Sequence, residues 1–186
     1  QDEWTVGPNW SMYLGVRWEH IETISKGDDF ATVRNNARVA SPVLQSVWRL
    51  PGERQDQVRL ALSRTYKSPA LLQLTPRPYT STNNRALSPD RQGNPELRPE
   101  LATGLDVSYE RNWDSGAQVS VGGYWREVRD VVRTETRLID GRWAASPVNG
   151  GDAIARGLEV DVSFPLSQLV AGAPEVAVRF NATRNW

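Results

Sequence analysis

Cysteine is missing altogether, and histidine occurs once, at His20. Without thiols there is no disulfide framework, no CxxC redox pair and no thiolate zinc site. One imidazole supplies no His–His pair, and neither a metal site nor a cofactor is expected. Net charge is absent too: 22 basic residues balance 22 acidic ones. Binding of nucleic acid or of an anionic surface by bulk charge is thereby excluded. No apolar run approaches the ~18 residues of a membrane-spanning helix. The opening Gln1-Asp2-Glu3-Trp4 has neither a basic n-region nor an apolar h-region, so no signal peptide is expected here. Enzyme signatures are lacking as well: there is no GxSxG, P-loop, GxGxxG or HExxH. Glu159 and Asp161 share a strand face as a glycosidase pair would. Charges fall this way on every strand, however, and no enzymatic activity is expected.

What the chain does have is aromatics and alternation. Eight tryptophans and five tyrosines argue against a disordered chain. Trp10, Met12, Leu14, Val16 and Trp18 fall on one face of an extended segment, with Ser11, Tyr13, Gly15, Arg17 and Glu19 on the other. The same period of two recurs at Val58–Leu62, Leu105–Tyr109, Val119–Trp125 and Leu158–Phe164. It recurs again at Val176–Phe180 against Glu175, Ala177, Arg179 and Asn181, and more weakly at Val43–Leu50. Helical periodicity is poor everywhere, the best stretch being the short Ser167–Ala171. The fold class expected is all-β: an antiparallel up-and-down meander of about seven long strands, part of a large transmembrane β-barrel.

Three features support a barrel wall. The strands, at roughly ten residues, exceed the five or six usual in soluble proteins. Connections alternate between short (Pro51–Asp56, Asn112–Gly116, Pro165–Pro174) and long (Ile21–Ser41, Lys67–Pro99, Leu138–Asp152), as periplasmic turns and extracellular loops do. One polar face collects Arg17, Glu19, Arg59, Arg64, Asp106, Glu110, Arg126, Glu159, Asp161 and Arg179, suited to a wet lumen. Glu159 is expected to pair with Arg126 or Arg179. The alternative is a soluble β-sandwich, a carbohydrate-binding module with tryptophan stacking platforms. The two differ in whether the apolar stripe meets lipid or a second sheet.

The order of several short motifs resembles the barrel of TonB-dependent outer-membrane receptors. Asn94-Pro95-Glu96-Leu97-Arg98-Pro99-Glu100 is similar to the segment that closes an extracellular loop in that family. Tyr124-Trp125-Arg126-Glu127-Val128-Arg129-Asp130-Val131-Val132 resembles its aromatic strand ending in an aspartate and two aliphatics. Asn149-Gly150-Gly151-Asp152-Ala153 with Gly157-Leu158-Glu159 resembles the strand that follows. Earlier matches are Gly15-Val16-Arg17-Trp18-Glu19 and Ser63-Arg64-Thr65-Tyr66-Lys67-Ser68-Pro69. The resemblance spans about residues 10–186. It implies an outer-membrane barrel of about 22 strands with a plugged lumen. It further implies import of a scarce ligand, most often a ferric siderophore or similar metal chelate, driven by the TonB complex through the plug, with outer-membrane lipid around the wall. No plug, TonB-contacting box or closing aromatic strand is recognisable. Residues 1–186 are therefore expected to be a barrel segment incomplete at both ends.

Within that frame the Lys67–Pro99 loop is the expected ligand contact. It exceeds the roughly 12–15 residues usual for unstructured connections. The candidate contacts are Arg77, Tyr79, Arg85 and Arg91, because cations beside an aromatic suit an anionic chelate by charge and stacking. Pro76-Arg77-Pro78 should hold Tyr79 on a stiff, extended stem. Asp28-Asp29 beside Gly27 reads as a plain turn. Gly157 is expected to admit a bulky neighbour into the sheet.

Overall fold

The computed structural model describes residues 2–52, 55–168, 170, 172, 174 and 176–186. Eight strands build one antiparallel wall: β1 (Asp2–Gly7), β2 (Trp10–Gly27), β3 (Phe30–Arg49), β4 (Gln55–Lys67), β6 (Glu100–Asn112), β7 (Gln118–Arg129), β10 (Ala153–Pro165) and β11 (Ala177–Asn185). Each strand pairs with its neighbour in that order, which is the up-and-down meander, and the sheet is not closed. Between β4 and β6 lie a single helical turn, α1 (Leu71–Leu74), and a two-residue strand, β5 (Asp90–Arg91). Between β7 and β10 lies a hairpin, β8 (Val132–Ile139) and β9 (Arg142–Asn149), which forms a small second sheet with β5.

The wall thus has eight strands rather than seven, β1 being the addition. Two further expectations are corrected. Ile21–Ser41 and Leu138–Asp152 are largely paired strand, not loop. Alternation fades there because both faces have left the lipid, and periodicity reports burial rather than hydrogen bonding. The β2–β3 hairpin runs paired from Trp10↔Trp48 to Gly27↔Phe30 and turns at Asp28-Asp29. The β8–β9 hairpin turns at Asp140-Gly141, where φ is +48° and +78°, the two positive values of a type I′ turn. The helical stretch reduces to one 3-10 turn at Leu166–Gln168. Leu169 and Ala171 lie outside the described residues, as do Glu53 and Arg54 of the short turn and Glu175 of the last alternation.

Register turns the separate stripes into one surface. Leu14 faces Leu44, Leu44 faces Leu62, and Leu62 faces Leu105. Leu105 faces Trp125, and Trp125 faces Arg156. The chain of leucines and tryptophan ends on an arginine because the belt climbs. On β10 the apolar run is Leu158, Val160, Val162 and Phe164, centred about five residues beyond Arg156. Five residues of about 3.3 Å over five strand spacings of about 4.8 Å is a rise of roughly 16 Å across 24 Å. The slope, about 35°, is the strand tilt of an outer-membrane barrel. A belt level with the membrane thus requires tilted strands, and the sequence supplies the stagger.

The apolar face is bare: Val16 is 72% exposed, Trp18 66% and Phe180 59%. Among the described residues no second sheet covers it, so the β-sandwich alternative is set aside. The opposite face is polar and internally paired. Arg126 meets Asp106 at 2.9 Å, Arg59 meets Glu110 at 3.2 Å, and Gln57 donates to Glu110 at 2.6 Å. Two assignments to this face change. Glu159 has no ion-pair partner among the described residues, because Arg126 is taken by Asp106 and the positions facing Glu159 are Gly122 and Thr183. Arg64 sits on the row of Leu60 and Leu62, facing Thr103.

Gly157 admits a neighbour as expected. A Cβ there would stand 2.7 Å from the Tyr124 ring and 2.7 Å from Asn185 Oδ1. Tyr124 lies over the gap and its hydroxyl donates to Asn185 Oδ1 at 2.8 Å. Gly157→Val should push Tyr124 out and part β10 from β11. In the full-length protein, hydrogen exchange should rise at Ala155–Glu159, and unchanged exchange would contradict this packing. The sidedness has its own test. Val121→Arg on the bare face should cost about 2–4 kcal/mol in urea unfolding from vesicles. Ser120→Arg, one residue along and facing Glu110 and Asp161, should cost much less. Equal costs would refute the assignment of faces.

Candidate functional site

The three excursions at one end of the wall are tied into a single body. Its knot is the segment Asn94–Glu100. Pro95 and Pro99 lack N–H groups and hold their predecessors extended, so the chain joins the ladder only at Glu100, the first residue of β6. The carbonyls before it need other donors. The Asn35 side-chain amide, from the β2–β3 hairpin, donates to Pro95 O at 2.7 Å and Leu97 O at 2.9 Å. Asn149, at the end of β9, accepts from Arg98 N–H at 2.9 Å and donates to Arg98 O at 2.9 Å and Asp130 O at 2.8 Å. The Asn94 side chain donates to Pro147 O at 3.1 Å and accepts from Glu96 N–H at 2.9 Å. Arg98 Nη2 reaches Asp130 Oδ1 at 2.6 Å. Glu100 accepts from Val132 N–H at 2.8 Å. Leu97, pointing into the knot, is 1% exposed.

Asp130 is the corner where the chain leaves the wall for β8. Its φ is +58°, a left-handed value that aspartate tolerates better than most residues. At the other foot of the hairpin Gly151 takes φ +95°. Gly150 has no room for a Cβ against the Arg133 side chain. The aspartate–valine–valine and Asn-Gly-Gly motifs are therefore the two feet of one hairpin, closed by Gly150 N–H to Val131 O at 2.8 Å and Val131 N–H to Gly151 O at 3.1 Å.

Between the Lys67–Pro99 loop and the β8–β9 hairpin lies a cleft of about 920 Å³. Arg77, Tyr79 and Arg91 line it, with Leu72, Leu87 and Pro89 from the loop and Thr134, Thr136 and Pro147 from the hairpin. Three of the four expected ligand contacts are thus brought together. Tyr79 and Arg91 exchange backbone hydrogen bonds of 2.8 and 2.9 Å, which sets them side by side. Arg77 carries a long ion pair to Asp29, 3.6 Å, at the tip of β2–β3. Arg85 stands apart, in a turn whose N–H and C=O exchange with Ser88. The cleft mixes two exposed guanidiniums, a phenol exposed by 65% and aliphatic walls. Such a lining suits an anionic ligand with apolar or aromatic faces.

Asp90 and Arg142 lock the loop over the hairpin. Arg142 Nε and Nη2 bind the two Asp90 oxygens at 2.8 Å each, and Ser81 N–H donates to Oδ1 at 2.8 Å. Asn84 adds a reciprocal pair to the Trp143 backbone, 2.7 and 2.8 Å. The Arg142 guanidinium and the Ser81 N–H hold the Asp90 carboxyl far below its ordinary value, and Asp90 in turn raises Arg142. Asn35, Asp90 and Arg142 do not stand out in the sequence, and Asn149 does so only as the first residue of the Asn-Gly-Gly motif. The one local signal for the lock was Asp140-Gly141, the turn dipeptide that makes the hairpin and so delivers Arg142 to Asp90.

His20 faces Arg38 on the outward row just beyond Trp18. Among the described residues no group of three or more His, Asp or Glu side chains could hold a metal ion.

A depressed carboxyl stabilises the folded form above its unfolded value, about 3.9, and loses that effect as pH falls through the folded value. Proteolysis of the Ser81–Arg91 segment by an acid protease should therefore stay slow at pH 4 and accelerate only well below it. Asp90→Asn should make the same segment labile at neutral pH. Lability of the unmodified loop already at pH 4–5 would contradict the lock.

Comparison with known proteins follows from this geometry. A family model described as TonB dependent receptor-like, beta-barrel, matches residues 1–185. The iron-regulated outer membrane virulence protein of Vibrio cholerae serotype O1 is 24% identical over 182 residues, covering 91% of this chain and 25% of that protein. The siderophore receptor PirA from Pseudomonas aeruginosa superposes with a TM-score of 0.71 at 15% identity, over 99% of this chain and 32% of that one. A mutant ferric enterobactin receptor from the same organism, in complex with enterobactin, gives 0.72 at 17% identity, over 99% of this chain and 26% of that one. The chain spans about a quarter to a third of the length of these relatives. With the meander, the tilt and the bare apolar face, the match places this wall in the outer membrane. The chain belongs to the TonB-dependent receptor-like β-barrel family of transport receptors.

Proposed function

We propose that the chain supplies wall and extracellular loops to a receptor that captures an anionic metal chelate, a ferric siderophore above all, for TonB-driven import. The observation that carries the reading is the convergence of Arg77, Arg91 and Tyr79 on one cleft fastened between two excursions. Two guanidiniums with no acidic residue among the cleft's lining favour a negatively charged ligand, and the tyrosine and leucines favour one with flat or apolar faces. The relatives, an iron-regulated outer membrane virulence protein, a siderophore receptor and a ferric enterobactin receptor, point the same way. In this reading the plug and the TonB contact are supplied by parts of the receptor beyond residues 1–186, and Arg85 guards the rim.

The test uses the full-length receptor with ferric enterobactin as an anionic probe and cobalamin as an uncharged comparison. The double variant Arg77→Ala, Arg91→Ala should weaken ferric enterobactin binding about 10- to 100-fold, or about 1.4–2.7 kcal/mol. It should leave any cobalamin binding unchanged. Equal affinity of the parent and the variant for the ferric chelate would reject the cleft as its site.

A further inference from the structure

The outward face of the wall carries its charge unevenly. Toward the short turns, its charges beyond the apolar belt among the described residues are Asp56 and Arg111, which face one another and pair at 3.7 Å. Toward the long excursions the same face carries Arg34, Arg38, Arg64, Arg129, Arg156 and Arg184 against Glu22 and Glu127. Arg34 is paired to Glu22 at 3.1 Å and Arg129 to Glu127 at 2.8 Å. Arg64, beside Thr103, is without an ion-pair partner among the described residues, and so are the three arginines Arg38, Arg156 and Arg184.

Two of these three converge. Arg156 is the first outward residue beyond Leu158, and Arg184 lies opposite Leu158 on β11. Their guanidinium carbons stand 6.0 and 5.8 Å from the ring centroid of Trp186, two cations at one indole. Trp125, the register partner of Arg156, completes an aromatic pair at this level. On the lumen side Arg126 has Asp106 and Arg59 has Glu110. Here two neighbouring cations have no carboxylate among the described residues.

Height decides what can neutralise them. These residues sit one step beyond the apolar belt, where headgroups begin, and on the side of the long excursions, which face the cell exterior in such barrels. Indoles settle at this boundary. A guanidinium fork grips phosphate through two parallel hydrogen bonds. We propose that Arg156, Arg184 and Trp186 form a headgroup site for a multiply phosphorylated lipid of the outer leaflet. The lipid's phosphates meet the two guanidiniums and its acyl chains lie down the Leu158–Phe164 stripe.

The competing occupant is a carboxylate on whichever strand joins the free edge of β11 in a closed barrel. The full-length receptor, purified in mild detergent, separates the two. Binding of bis-phosphorylated and of dephosphorylated lipid A would be titrated by native mass spectrometry. The parent and the variants R156Q/R184Q and R156K/R184K would be compared, with heat-modifiable gel migration as the readout of barrel integrity. The proposal expects the glutamine variant to stay heat-modifiable and lose at least ten-fold in affinity for the phosphorylated lipid alone, while the lysine variant keeps most of it. Equal affinity in all three proteins would overturn it. So would a parent that binds both lipids alike, or a glutamine variant that loses heat-modifiability, which would assign the arginines to a neighbouring strand.

Discussion

The extracellular end of this wall depends on one constraint: backbone that cannot enter a sheet must still find hydrogen-bond partners. The prolines at positions 95 and 99 keep Asn94–Pro99 out of any ladder, so carbonyls there are satisfied by side chains from elsewhere. Asn35 supplies one amide to two of them and Asn149 reaches across to Arg98 and Asp130. A buried carbonyl left without a donor costs about 1–3 kcal/mol. Only an arrangement that brings both asparagines to the segment avoids that cost. Two hairpins and a long loop, with few apolar contacts to hold them, are thereby fixed in one arrangement.

The wall obeys a different rule. Its strands have no dry interior among the described residues; the buried hydrophobic side chains, Val39, Leu74, Leu97 and Ala145, all lie in or at the base of the excursions. Below them, one face is left to hydrocarbon and the other is neutralised in pairs. Hydrocarbon sets the stagger of apolar runs from strand to strand, and the stagger sets the tilt. The wall is stabilised by the solvent it faces, whereas the excursions are stabilised by their own small core.

This division explains what the sequence made legible. The belt could be read strand by strand because lipid demands strict alternation, and the register from Leu14 to Trp125 joins the same residues that the pattern had placed on one face. The Lys67–Pro99 loop could be read as a long excursion, and Arg77, Tyr79 and Arg91 do meet. The upper halves of β2 and β3 were hidden, since above Trp18 neither face needs to be apolar. Arg64 was misplaced because it looks like its neighbour Arg59, although one position of parity separates their faces. The partners Asp90 and Arg142 lie far apart in the chain, and no local pattern announces a contact made only when a loop folds over a hairpin. The proline motif was recognisable by resemblance, but its role in joining the excursions required the positions of Asn35 and Asn149.

The two kinds of stability bear on the cleft. A binding surface made of irregular loop usually exchanges order for adaptability. Here the loop is held at three separated places: Arg77 to Asp29 at one hairpin tip, Asp90 to Arg142 beside the other, and the proline segment at the base. The strengths differ. The base is bonded at several backbone groups, the Asp90 lock is bidentate, and the Arg77 contact is a long, exposed pair that water and salt weaken. The weakest tether is therefore the one whose cation also lines the cleft. In the proposed reading, an anion entering there would compete with Asp29 for Arg77 alone, while the rest of the loop stays fastened. Ligand recognition and loop order would then be coupled through that single exposed pair, and the wall beneath would not need to move for the cleft to respond.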